Sequence, residues 1–158
     1  MLIIADSSAL IALATCDGLG ILLKVYNVVK VPRAVYAEVT ASDKPQAIAL
    51  ESFLSDKIVD VDSTHWVLAA GTLGQGEIEA MALYKQLAAD ALLIDDHRAR
   101  VIAEHNKIHC IGALGVLLFA KQQGIIEKVA PYVQKLRHSS IHYGESLLNK
   151  VLSLANEQ

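Results

Sequence analysis

Short apolar runs at residues 2–5, 28–31, 91–94 and 108–111, with a weaker one at 58–61, alternate with segments of helical periodicity. Runs this short, rich in Val, Ile and Leu and bounded by turn formers, suit strands buried on both faces. Between them the helix signals are local. Ser7 and Ser8 can cap a helix over 9–15, Asp17-Gly18 interrupts it, and 19–25 reads as a second helical stretch. Pro32 opens a helix over 32–40, because its fixed φ suits the first helical position. Further helices are expected at 45–54, 77–88, 97–105 and 114–123, with amphipathic ones at 127–137 and 144–156. Strands alternating with helices predict an α/β chain with a mainly parallel sheet covered on both faces. Ligands of such sheets bind beyond the carboxyl ends of the strands, where the strand order reverses. Asp6 and the pair Asp95-Asp96 each stand at a strand end of this kind.

The 158 residues suit a single domain, with a core over about 1–125 and a helical extension over about 126–158. No apolar run approaches the roughly 18 residues that span a bilayer. The run after Met1 stops at Asp6 without a basic segment before it, which does not read as a signal peptide. Cys16 and Cys110 lie far apart in apolar stretches, as small core residues do. The expected setting is cytoplasmic, with no membrane partner. Net charge is −3, but residues 1–84 carry 5 basic and 10 acidic side chains while residues 85–158 carry 9 and 7. An acidic half beside a mildly basic one fits a metal site next to a phosphate-binding surface, and equally fits ordinary solvated faces.

The acidic residues carry more information by context. Asp6 ends the first strand. Glu38 shares a helical stripe with Ala34 and Val35, and Glu77 starts a helix after Gly74-Gln75-Gly76. Carboxylates at core-facing positions are costly unless paired or metal-bound, and no basic residue is placed locally to pair with these three. A shared cation resolves the cost, and an all-oxygen ligand set suits Mg²⁺ or Mn²⁺. Plainer roles stay open for each residue. Glu77 complements a helix dipole, Glu38 reaches solvent from the stripe edge, and Asp6 or Asp95-Asp96 caps the following helix.

Other chemistries find less support. His105 and His109 have an i, i+4 interval but straddle a helix end, so zinc is not expected. The chain has no nucleophile elbow, P-loop or dinucleotide fingerprint. Phosphodiester hydrolysis on clustered metal ions needs no side-chain nucleophile, which matches this inventory.

Asp6-Ser7-Ser8-Ala9-Leu10-Ile11, Val31-Pro32 with Glu38 beyond it, Leu73-Gly74-Gln75-Gly76-Glu77 and Leu93-Ile94-Asp95-Asp96 together resemble the PIN domain over about residues 1–125. They resemble particularly a prokaryotic branch related to VapC-like toxins, known as predicted nucleic-acid-binding proteins. The resemblance implies a three-layer α/β/α sandwich and a divalent-metal-dependent endoribonuclease acting on single-stranded RNA. It implies ligand roles for Asp6, Glu38, Glu77 and the Asp95/Asp96 pair, Asp95 being favoured, with Ser8 as a supporting hydroxyl. It also implies a homodimer and an antitoxin partner. Many toxin-type relatives carry aspartate where this chain has Glu77, and the two last helices exceed a minimal PIN domain. Arg98 and Arg100, opening the helix after the acidic pair, suit RNA phosphates; Arg100 pairing with Glu104 is the plainer reading. The alternatives are a catalytically silent binding module and a Mg²⁺-dependent phosphatase of another α/β fold. A dehalogenase-like phosphatase would want Asp-x-Asp after the first strand, where Ser7-Ser8 stand.

Overall fold

The computed structural model describes residues 1–41, 43, 45–61 and 73–158. From the N-terminus run β1 (Leu2–Ala5), α1 (Ser7–Thr15), α2 (Leu19–Tyr26), β2 (Val28–Pro32), α3 (Arg33–Thr40), α4 (Pro45–Leu54) and β3 (Ile58–Val59). After them come α5 (Gln75–Leu87), β4 (Ala91–Leu93), α6 (His97–His105), β5 (Cys110–Ile111), α7 (Ala113–Gln122), α8 (Ala130–Arg137) and α9 (Glu145–Leu154).

The strands form one parallel sheet in the order β3-β2-β1-β4-β5. Ile3 pairs with Val29 on one side and Ala91 on the other, so β1 is the central strand. Successive connections run outward from β1 to β2 and β3, then return to the other side for β4 and β5. The reversal leaves a crevice at the carboxyl ends of β1 and β4. Ile3, Ile4 and Ala5 of β1 and Ala91, Leu92 and Leu93 of β4 are all buried, on both faces of the pleat. That requires a helical layer on each side, and the expected three-layer α/β/α sandwich is what the chain forms. Ala9, Leu10, Ala12 and Leu13 of α1 are all fully buried, among neighbours from α3, α4 and α7; each buried leucine contributes about 1.5–3 kcal/mol.

Element boundaries depart from expectation where tertiary contacts decide. Ser7 lies inside α1, and Asp6, extended at φ −101° and ψ 166°, is the residue before it. Pro32 ends β2 rather than opening α3, with ψ at 157°. The strand expected at 58–61 shortens to Ile58–Val59, and Asp60 turns outward to Arg33 at 2.8 Å. The strand expected from 108 starts at Cys110, because the Ile108 amide still closes the α6 turn on Ala103 O. The helix expected from 127 starts at Ala130. There the Val129 and Ala130 amides donate to the Glu157 carboxylate at 2.8 and 2.9 Å. Lys121 Nζ donates to the same carboxylate at 2.8 Å and to Ala155 O, fastening the last residues to α7 and α8.

Among the described residues no single helix is long and apolar enough to cross a membrane. Cys16 and Cys110 are free thiols, and burial pushes each up to about 11, which leaves them protonated and inert at neutral pH.

Candidate active site

Asp6 leaves the end of β1 with its amide donating to Leu93 O at 2.9 Å, so it sits over the gap between β1 and β4. Its side chain is buried, and Oδ1 has no hydrogen-bond partner among the described residues. Burial is the main force raising its carboxyl to about 7. The Ser7 N–H opposes that rise, and the charges of Glu77, Glu38 and Asp96 add to it. An unsatisfied buried carboxylate facing three more is an unstable arrangement that a cation relieves.

Glu38 comes from the last turn of α3. Ser7 Oγ donates to its Oε2 at 2.7 Å, fixing one oxygen across the cleft from Asp6. The N-terminus of α5 closes on it so tightly that a Cβ at Gly76 would lie 2.9 Å from Glu38 Oε2. A side chain at Gly76 would have to displace the Glu38 carboxylate from its place on Ser7, which gives the second glycine of the Gly74-Gln75-Gly76 turn its reason. Glu77 reaches back to accept the Gly74 amide on Oε1 at 3.0 Å, half of a capping box. It therefore serves its helix as well as facing Asp6.

Beyond β4 the two aspartates part. Asp96 caps α6 by accepting the Ala99 amide at 2.9 Å and lines the same cleft as Asp6, Glu38 and Glu77. Asp95 turns the other way. Its Oδ1 accepts the Ala113 amide at 3.0 Å, capping α7, and its Oδ2 accepts the Tyr143 hydroxyl at 2.6 Å. A Cβ at Gly112 would fall 2.5 Å from Asp95 Oδ1, so the carboxylate packs directly on that backbone. The structure thus joins Asp6, Glu38, Glu77 and Asp96 in a cleft of about 510 Å³ and places Asp95 outside it.

Ser8 lines the cleft but makes no hydrogen bond with these carboxylates among the described residues; the hydroxyl that does is that of Ser7. Ser7 has a faint signal in the sequence, as the residue directly after a strand-end aspartate. Tyr143 has none, being 48 residues from its partner. Arg100 makes no ion pair with Glu104 and lies beside Gly112, bordering a second groove with Asp95 and Asp96. Arg98 is on the exposed side of α6.

The donor set fits a hard divalent cation: carboxylate oxygens only, with one oxygen of Glu38, Glu77 and Asp96 each held by a neighbour and the other without a partner among the described residues. Among those residues no three such side chains are already drawn to a common ligating point.

A doubly wound parallel sheet with a carboxylate cleft at its switch point defines an acidic α/β site suited to a divalent cation. The family is more specific. The model of family DUF3368, described as a PIN domain, matches residues 2–157, and the chain belongs to the PIN-domain family. The match takes in α8 and α9. No curated protein and no solved structure matches the chain significantly. PIN domains are generally nucleases that bind nucleic acid and use divalent metals.

Proposed function

We propose that the chain is a divalent-metal-dependent endoribonuclease acting on single-stranded RNA. The observation that carries this reading is the buried Asp6 Oδ1, without a partner among the described residues, in one cleft with Glu38, Glu77 and Asp96 at the sheet's switch point. These four carboxylates would hold Mg²⁺ or Mn²⁺. Such a cation, when bound, acidifies a water and neutralises charge developing on the scissile phosphate. Ser7 holds Glu38 in place, Gly76 lets α5 approach, and Asp6 is kept dry by the ends of β1 and β4. Asp95, bonded to Ala113 and Tyr143, positions the turn that presents Asp96 rather than ligating. Arg100, at the rim, is placed for a substrate phosphate.

The toxin role, a homodimer and an antitoxin partner belong to the same proposal, supported by the motif resemblance to the VapC-like branch, and a cytoplasmic setting joins them on the two free, widely separated cysteines. Burial of Val129, Val133 and Leu136 assigns the α8 stripe to the chain's own core, whereas Leu147 and Leu154 of α9 remain exposed. Light scattering tests the dimer, and co-purification with the neighbouring gene product tests the antitoxin. The activity is tested on a panel of single-stranded oligoribonucleotides with Mg²⁺, Mn²⁺ or EDTA. Binding without cleavage under every condition would make the chain a silent binding module instead.

A further inference from the structure

A second groove, of about 600 Å³, adjoins the acidic cleft, and Ser8 and Asp96 line both. One wall is Ile111, Leu114 and Leu118 from β5 and α7; the other is Leu147, Val151 and Leu154 of α9. Gly115, which also lines the groove, lets Ile111 pack close: a Cβ there would lie 2.9 Å from Ile111 Cγ1. Arg100 stands at the end next to the cleft and Lys150 on the α9 side, and neither makes an ion pair among the described residues. Leu147, Lys150 and Leu154 recur at helical spacing, and the two leucines are 45% and 62% exposed. Apolar walls with free cations, opening directly on a phosphodiesterase cleft, match a chain that alternates bases with phosphates.

We propose that this groove binds the segment of single-stranded nucleic acid adjoining the bond held in the acidic cleft, with phosphates on Arg100 and Lys150 and unstacked bases on the leucine walls. The inference rests on the nuclease reading of the cleft. It gives the C-terminal helices a role: α9 supplies half of the substrate path. A duplex cannot offer its base faces to such walls, so the groove selects single strands. Arg100 lines the groove together with Asp96 and Ser8, the two residues that the groove shares with the cleft.

The test is fluorescence anisotropy of a labelled oligoribonucleotide of about 12 nucleotides, with Ca²⁺ replacing Mg²⁺, at several salt concentrations. Wild type is compared with Lys150→Ala, Leu147→Ser and Lys24→Ala, the last removing a charge that lines neither site. Lys150→Ala should raise Kd about threefold or more and lower the salt slope by about 0.7, the share of one phosphate contact on a single strand. Leu147→Ser should raise Kd by a similar factor at an unchanged slope, and Lys24→Ala should match wild type. Circular dichroism checks that each variant is folded. Wild-type Kd and slope in both groove variants, or no binding by wild type at high micromolar concentration, would overturn the groove. So would a dimer in solution that Leu147→Ser dissolves, which would give the surface to a second copy. Cleavage of the same oligonucleotide in Mn²⁺ separates the two readings. Cleavage with groove-indifferent binding removes the groove alone, and groove-dependent binding without cleavage removes the nuclease reading alone.

Discussion

The Tyr143 hydroxyl donates a 2.6 Å hydrogen bond to Asp95 Oδ2, tying the segment between α8 and α9 to the turn that ends β4. Burial, and then the Asp95 carboxylate beside it, push the phenol's pKa upward, so the proton stays on Tyr143 across the working pH range. With Ala113 N–H on the other oxygen, Asp95 is fully engaged. Tyr143→Phe should therefore cost about 1–3 kcal/mol in urea unfolding, as loss of a hydrogen bond to a charged group does. Asp95→Asn should lower kcat less than tenfold, and Asp96→Asn by about a hundredfold or more, on the scale of losing a metal ligand. Equal losses in the two aspartate variants would return Asp95 to the ligand set.

Ser7→Ala removes the hydroxyl that fixes Glu38 Oε2 at 2.7 Å. It should reduce kcat about tenfold, on the scale of one orienting contact next to a metal ligand, with the thermal midpoint shifting by only a few degrees. Ser8→Ala, whose hydroxyl lines the cleft but makes no hydrogen bond with the four carboxylates among the described residues, should lower kcat less than Ser7→Ala does. The two rates measured side by side check the assignment.

The Asp6 carboxyl, raised to about 7 from 3.8 by burial first and by Glu77, Glu38 and Asp96 after it, gives a signed pH dependence. Between those values the folded protein holds a proton that the unfolded chain has released, so stability falls as pH rises from about 4 to about 7. In EDTA the thermal midpoint should decline over this window. A carboxyl raised from 3.8 to about 7 sets a ceiling of roughly 4 kcal/mol on the effect. Asp6→Asn should abolish most of the decline, and Mn²⁺ should restore the wild-type midpoint but not that of Asp6→Asn. Superimposable melts at pH 5 and pH 8 would contradict the buried-charge account.

Glu157 works in the opposite sense. Burial alone would raise its carboxyl, but Lys121, Val129 N–H and Ala130 N–H outweigh burial and hold it below the usual 4.5. Its stabilisation is present above the unfolded value and is lost as pH falls through the lowered folded one. Glu157→Gln should cost about 1–3 kcal/mol at neutral pH by urea unfolding and almost nothing once the pH is below the lowered folded-state value, when the carboxylate is protonated in both states.

Much of this architecture was legible in local sequence. The alternation of buried strands and helices dictates the parallel sheet, and the strand-end position of Asp6 locates the crevice. Boundaries were less legible, because distant groups set them: Glu157 decides where α8 begins, and the Ala103 carbonyl delays β5. The split of Asp95 from Asp96 was not readable either. Adjacent residues in an extended segment point to opposite sides, but which side faces the cleft depends on Ala113 and Tyr143, far along the chain. The resemblance implied Ser8 as the supporting hydroxyl, but α1 starts at Ser7, and it is the buried Ser7 Oγ that donates to Glu38.

The most direct test of the central claim is the single-turnover cleavage rate of one single-stranded oligoribonucleotide as Mn²⁺ is raised from an EDTA-treated start, for wild type and folded Asp6→Asn. The account predicts no cleavage in EDTA, a rate that saturates with Mn²⁺ for wild type, and a rate at least about a hundredfold lower for Asp6→Asn. Cleavage that persists in EDTA, or a folded Asp6→Asn protein that cuts at the wild-type rate, would contradict it.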